Sequence, residues 1–282
     1  MFAAGAGLAL LDAHLRHNPP AAGALRQRLA LQSAAASAKI LRLNADQGAL
    51  RDLGFAVGDA GPAARLLQLW RDLAARPPSL DPARLAAAAL DLPAPNGDDL
   101  AAGLRECVRG EDPVSAAAKA AAAVFSVFPD APTAEAEILA LWTFDLVLAL
   151  RLRWSRPAPL IATKVLDPSL RSHGGARLRP DDPAWPNAAA GAIALAAASA
   201  LDLAADLSRR SEILIAVAPK LRAKPAQRIV ELLLAEDCVS AAEAARQAPM
   251  TDRAARRLFD RLGALGAVRE LSGRPSFRLY GL

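Results

Sequence analysis

Alanine limits what this chain can become more than any other residue does. It fills 70 of 282 positions, and the segment 188–192 reads Ala-Ala-Ala-Gly-Ala. Alanine has the strongest helix propensity and leaves room for helices to pack closely. Residues that favour strands are scarce beside it, with one Tyr, seven Phe and four Trp. The expected body is therefore all-helical. At this length the chain can bury a sizeable core, in one large domain or in two.

Two apolar stretches bear on the membrane question. Residues 1–16 carry no positive charge ahead of their apolar run, and His14 and Arg16 arrive early. That pattern argues against a signal peptide and against an anchor. Because helical spacing begins at Met1 with no capping residue before it, the true start or a leader is expected upstream. The stretch 138–154 has Asp145 at its middle and arginines at its end, and reads as a buried amphipathic helix. Asp145 there is expected to pair with an arginine such as Arg151 or one from another helix. Cys107 and Cys238 stand far apart with no metal-type spacing. Both are expected to be buried thiols in a reducing, cytoplasmic setting.

Apolar spacing and proline breaks predict helices near 2–16, 21–43, 61–75, 82–91, 97–109, 113–127, 133–154 and 183–217. Residues 155–183 form the longest irregular stretch, with His173-Gly174-Gly175 and the pair Asp181-Asp182. A loop of that length usually has a role or moves. Small residues at 188–192 predict a close approach by a neighbouring helix.

Charge divides the chain sharply. Residues 219–282 hold 12 Lys and Arg against 7 Asp and Glu, an excess of five, which is the whole net charge of +5. Residues 1–218 are neutral. A basic segment of that size suits a phosphate backbone.

The same segment has the clearest pattern. "AQRIVELLLAED" predicts a first helix burying Ile229, Leu232 and Leu233. Ser240 with Glu243 forms a capping box for a second helix. Thr251 caps a third, which Gly263 or Gly266 ends. In that third helix Ala255, Leu258 and Leu262 are the expected buried stripe, and Arg253, Arg256 and Arg257 face outward. Two strands near 267–271 and 276–280 flank Ser272-Gly273-Arg274-Pro275 as a hairpin. Alternation turns Phe277 and Leu279 inward and Arg278 and Tyr280 outward. The predicted fold is thus mainly α: an alanine-rich helical bundle over 1–218, then a winged helix-turn-helix over 219–282 with one β-hairpin wing.

Two resemblances attach to these residues. The ending "LGAVRELSGRPSFRLYGL", with "DDPAWPNA" and "APKLRAKPAQRIVELLLAED", resembles a bacterial family known as domain of unknown function 1403. That resemblance covers nearly the whole chain and implies no activity. "RELSGR" followed by "FRLY" is similar to the C-terminal winged helix of Fic-type proteins. Their catalytic loop, His-Pro-Phe-x-x-Gly-Asn-Gly-Arg, is absent, so only the DNA-binding-like module is implied.

Chemistry finds little support elsewhere. His173 near Asp181 and Asp182 lacks a second nitrogen ligand. Trp70, Trp142, Trp154 and Trp185 are scattered and read as core. Arg209 and Arg210 stand beside Asp206 and Glu212, which neutralise them. The expected function is DNA binding in transcriptional regulation by a cytoplasmic protein, without catalysis, cofactor or metal. Thr251, Arg253, Arg256, Arg257, Arg274 and Arg278 would contact DNA, and the helical body would dimerise or bind an effector. The alternative is an assembly factor whose winged helix binds a protein.

Overall fold

The computed structural model describes every residue except 1, 57–59, 82, 93–96, 108–111, 173, 222–223 and 275–276. Helices dominate, in the order α1 (Phe2–Arg16), α2 (Ala22–Ile40), α3 (Gln47–Leu53), α4 (Pro62–Ala75), α5 (Ala83–Ala89), α6 (Gly97–Cys107), α7 (Pro113–Val127), α8 (Thr133–Leu152) and α9 (Ile161–Lys164). Then come α10 (Trp185–Val217), α11 (Lys224–Ala235), β1 (Val239–Ser240), α12 (Ala241–Gln247), α13 (Asp252–Ala264), β2 (Arg269–Glu270) and β3 (Leu279–Gly281). The chain forms two compact units, one of Met1–Arg16 with Leu29–Ala200, the other of His17–Arg28 with Leu201–Leu282. The second unit therefore takes in 201–218 and 17–28 beside the basic segment.

In the first unit α7 lies along α8. Asp112 starts α7 by accepting hydrogen bonds from the Val114 and Ser115 amides, both at 3.1 Å, and Pro113 supplies a preset φ at the first helical position. Ala116, Ala117, Ala120, Ala121 and Val124 are buried on α7. α8 is buried without a break from Ala136 to Ala149. This corrects the expected amphipathic helix: α8 is apolar nearly all round because protein surrounds it on every side.

Two carboxylates inside α8 show what that burial requires. Asp145 accepts from the Leu160 amide at 2.9 Å and the Ile161 amide at 3.2 Å, where α9 begins. These amides take the place of the expected arginine, because the first turn of a helix offers donors with no partner of their own. Burial pushes the Asp145 carboxyl well above the usual range, and the two amide bonds oppose it. Glu137, also buried, is held in a two-pronged ion pair by Arg177. Segment 155–183 is therefore anchored, and it contains α9, a 3-10 turn at Pro168–Leu170 and a bridge between Arg171 and Arg177.

All four tryptophans are buried, as expected. Three of them donate: Trp70 to Ser37 Oγ at 2.9 Å, Trp154 to Asp12 at 2.8 Å and Trp185 to the Ala118 carbonyl at 3.3 Å. A Cβ on Gly191 would lie 2.9 Å from Leu170 Cδ2, so the small-residue stretch admits a side chain from the 3-10 turn there. Cys238 is buried, whereas Cys107 is half-buried. Segment Trp185–Lys220 is, among the described residues, the one helix long and apolar enough to cross a membrane, and less than half of its most apolar part is buried.

The second unit ends in a small antiparallel sheet of order β1-β3-β2. Val239 pairs with Tyr280 and Ser240 with Leu279 on one side of β3, and Arg269 pairs with Gly281 and Glu270 with Tyr280 on the other. The expected hairpin is present with shorter strands, and β1 adds a third. Gly281 is required on this central strand, since a Cβ would come within 2.6 Å of the Asp237 carbonyl. Leu279 and Tyr280 are both buried, so both faces of β3 are covered. The expected outward Tyr280 is corrected by this: its ring stacks on Phe259 with centroids 4.4 Å apart.

Residues 17–28 belong to this unit, and Gly23 and Arg28 show how they fit it. A Cβ on Gly23 would stand 2.7 Å from Ala235 Cα, so only glycine permits this approach to the end of α11. Arg28 makes an ion pair with Asp237, whose side chain is fully buried.

Candidate nucleic-acid interface

Three short elements position the candidate side chains. Ser240 Oγ accepts from the Glu243 amide at 3.1 Å and starts α12. The return half of the expected capping box is replaced, because the Glu243 carboxylate binds Arg246 and Gln247. α12 packs on α13, and residues 248–251 connect them. Thr251 Oγ1 accepts from the Ala254 amide at 3.2 Å and starts α13. At the other end Gly266 takes φ 68°, a left-handed conformation that suits glycine, and the Ala267 amide returns to the Leu262 carbonyl at 2.9 Å.

Because Thr251 satisfies one free donor of α13, Thr251→Ala is expected to lower the unfolding free energy by about 1 kcal/mol. Urea unfolding followed by circular dichroism measures it, and an unchanged midpoint would contradict the cap.

The buried stripe of α13 is Ala255, Phe259 and Leu262, each fully buried. Leu258, expected in that stripe, is half-buried. The two patterns differ by one position on the wheel, and the Tyr280 ring selects Phe259. Arg253, Arg256 and Arg257 are exposed on the opposite side. Arg261 is exposed as well and extends the spacing of four that begins with Arg253 and Arg257, a position absent from the sequence-based expectation. It also donates to the Lys220 carbonyl at 3.4 Å.

Some of these charges are already matched. Arg256 pairs with Asp252 at 2.7 Å, and Arg278 with Asp260 at 3.8 Å. Both are solvent-exposed pairs, which contribute little and open readily. Arg253 and Arg257 make no ion pair with a described residue. Glu270 closes the turn after β2 by accepting from the Ser272 amide at 2.8 Å, the Gly273 amide at 2.8 Å and the Ser272 hydroxyl. The Ser272 hydroxyl bond, followed by the two amide bonds, holds the Glu270 carboxyl below its ordinary value. Arg274 is exposed next to this turn. Pro275 lies outside the described residues.

A second group of cations gathers in the same unit. Asp206 accepts from Arg210 at 2.8 Å and Arg209 at 3.3 Å, as expected of Asp206. The Arg210 bond is the main reason its carboxyl sits low, with Arg269 and Arg209 adding attraction. Burial lowers the Arg269 guanidinium, and repulsion from Arg210 adds to this. The other chemical candidates do not assemble. His173 lies outside the described residues, Asp181 pairs with Arg179, and Asp182 accepts from the Ala184 amide at 2.8 Å ahead of α10. No group of three His, Cys, Asp or Glu side chains that could hold a metal converges among the described residues.

Over residues 1–282 the chain matches the model of the family described as "Protein of unknown function (DUF1403)", and it belongs to that family. No curated protein matches it. The likeness of the closing segment to the winged helix of Fic-type proteins gains no support from either comparison.

Proposed function

We propose that this protein binds DNA as a cytoplasmic, non-catalytic transcriptional regulator, with residues 219–282 acting as a winged helix-turn-helix. In this reading α12 and α13 are the helix pair, α13 lies in the major groove, and the β2–β3 turn is the wing. Thr251, Arg253, Arg256 and Arg257 meet bases or phosphates from α13, with Arg274 and Arg278 on the wing. The helical first unit serves as a dimerisation or effector-binding body.

One observation carries the reading. Arg253 and Arg257 stand exposed on a firmly capped helix, with no ion pair to a described residue, inside the segment that holds the chain's whole positive excess. The Arg253→Ala/Arg257→Ala double variant tests it by fluorescence anisotropy with a labelled genomic duplex. Affinity is expected to fall for all sequences alike, and the slope of log affinity against log salt to flatten by about two, one for each phosphate that is no longer neutralised. Equal affinities for variant and parent would contradict it.

A second reading has its own observation. Asp252 and Asp260 interrupt the basic face and each already pairs with one of its arginines. A mixed-charge surface of this kind suits a protein partner. Co-purification of a stable heteromer without DNA affinity would favour that assembly role.

A further inference from the structure

The first unit contains an open cleft of about 330 Å³ between α4, α5 and α8. One face of α4 supplies much of its wall, since Arg65, Leu69, Asp72 and Leu73 recur at helical spacing and Arg76 follows directly after the helix. Leu69, Leu73, Trp142 and Leu146 make the interior, and all four are buried. The gap exists because α5 presents Ala86 and Ala89 where longer side chains would fill it. Pro77, Pro78 and Pro157 close the remaining side. Proline has no amide N–H, so that wall offers water few hydrogen bonds.

Polar groups lie at the rim. Arg65 and Arg76 line the cleft with side chains 43% and 56% exposed. Each is held by an exposed carboxylate, Asp91 at 2.9 Å and Asp72 at 3.1 Å. Such pairs are weak in water and exchange partners easily. Two guanidiniums therefore border an apolar chamber, with Asp72 as the one acidic side chain among the described lining residues. Pockets that hold small molecules have this composition and size, mostly apolar with a few polar groups that fix orientation.

We propose that this cleft binds a small apolar monocarboxylate, its hydrocarbon or aromatic body against Leu69, Leu73, Trp142 and Leu146 and its carboxylate at Arg65 and Arg76. A planar guanidinium matches a carboxylate in two-pronged geometry, which fixes the end of the ligand that faces solvent. Binding in this cleft does not depend on the DNA reading, and its test uses no nucleic acid.

Isothermal titration of the full chain with decanoate and with decyltrimethylammonium, which carry the same alkyl body and opposite charges, tests it. Decanoate is expected to bind saturably, at least about tenfold more tightly than the ammonium, with a negative heat-capacity change from apolar burial. Ala89→Phe fills the cleft from a half-buried position and should weaken decanoate about tenfold or more at an unchanged melting temperature. Arg65→Gln/Arg76→Gln alters exposed side chains alone, so it reports even if Ala89→Phe folds poorly, and it should abolish the preference for the anion. Absence of saturable decanoate binding, full binding by folded Ala89→Phe, or an unchanged preference in the arginine variant would each overturn the proposal.

Discussion

Phe259→Ala is expected to destabilise the second unit by about 3–5 kcal/mol. The side chain is fully buried, and its ring stacks parallel on Tyr280 at 4.4 Å, joining α13 to the centre of the sheet. Truncation removes the transfer energy of the ring, leaves a cavity and strips one face of Tyr280. A domain has a total stability of about 5–15 kcal/mol, so this one change removes a large share of what holds the unit together. Leu258→Ala, at the half-buried neighbouring position, should cost only about 1 kcal/mol. Chemical denaturation of both variants, followed by the near-ultraviolet signal of Tyr280, measures the contrast. If Leu258→Ala proved the more damaging, Leu258 and not Phe259 would belong to the buried stripe of α13.

Asp237→Ala should be comparably severe, at about 3–5 kcal/mol. Asp237 has a fully buried side chain that pairs with Arg28, itself only 12% exposed. Removing the carboxylate leaves the Arg28 guanidinium with little water and without this counter-charge, whereas replacing both partners removes the two charges together. The double variant Arg28→Met/Asp237→Leu is accordingly expected to recover much of the loss, because a buried pair is costly to break and nearly neutral to replace. Differential scanning calorimetry of the single and double variants measures it. Equal destabilisation by the two would show that the pair's charge is not what matters.

That ion pair also marks the limit of what the sequence reveals. Helix positions were legible because prolines, caps and apolar spacing are local signals: α1, α7 and α10 lie within two residues of their expected bounds. The short α3 and α9 carry too few apolar residues to show a period and escaped notice. The chain's positive excess was readable as a count, and so were Thr251 and the outward arginines of α13. Tertiary partners were not readable. Nothing near Asp145 in sequence points to the amides of Leu160 and Ile161, and nothing near Asp237 points to Arg28, which lies 209 residues away. Alternation turned Tyr280 outward because it cannot show that α13 covers that face of β3 with the Phe259 ring.

The chemistry of the basic tail follows the same division. Its cations could be counted, while their pairing could not: Asp252 and Asp260 engage Arg256 and Arg278, whereas Arg253, Arg257 and Arg261 on α13 make no ion pair with a described residue. Exposed ion pairs of this type yield to phosphate at small cost, so all of these arginines remain available in the DNA reading. The cleft of the first unit was equally invisible, since it is made by alanines and prolines from three separate stretches of chain.

The most direct test is a salt titration of wild-type protein on duplex DNA, read by anisotropy from low to physiological ionic strength. Log affinity should fall linearly with log salt, with a slope between about −2, if Arg253 and Arg257 alone neutralise phosphates, and about −4.5, if Arg256, Arg274 and Arg278 join them. No retention of any duplex at low ionic strength, or a slope near zero, would contradict the DNA-binding account.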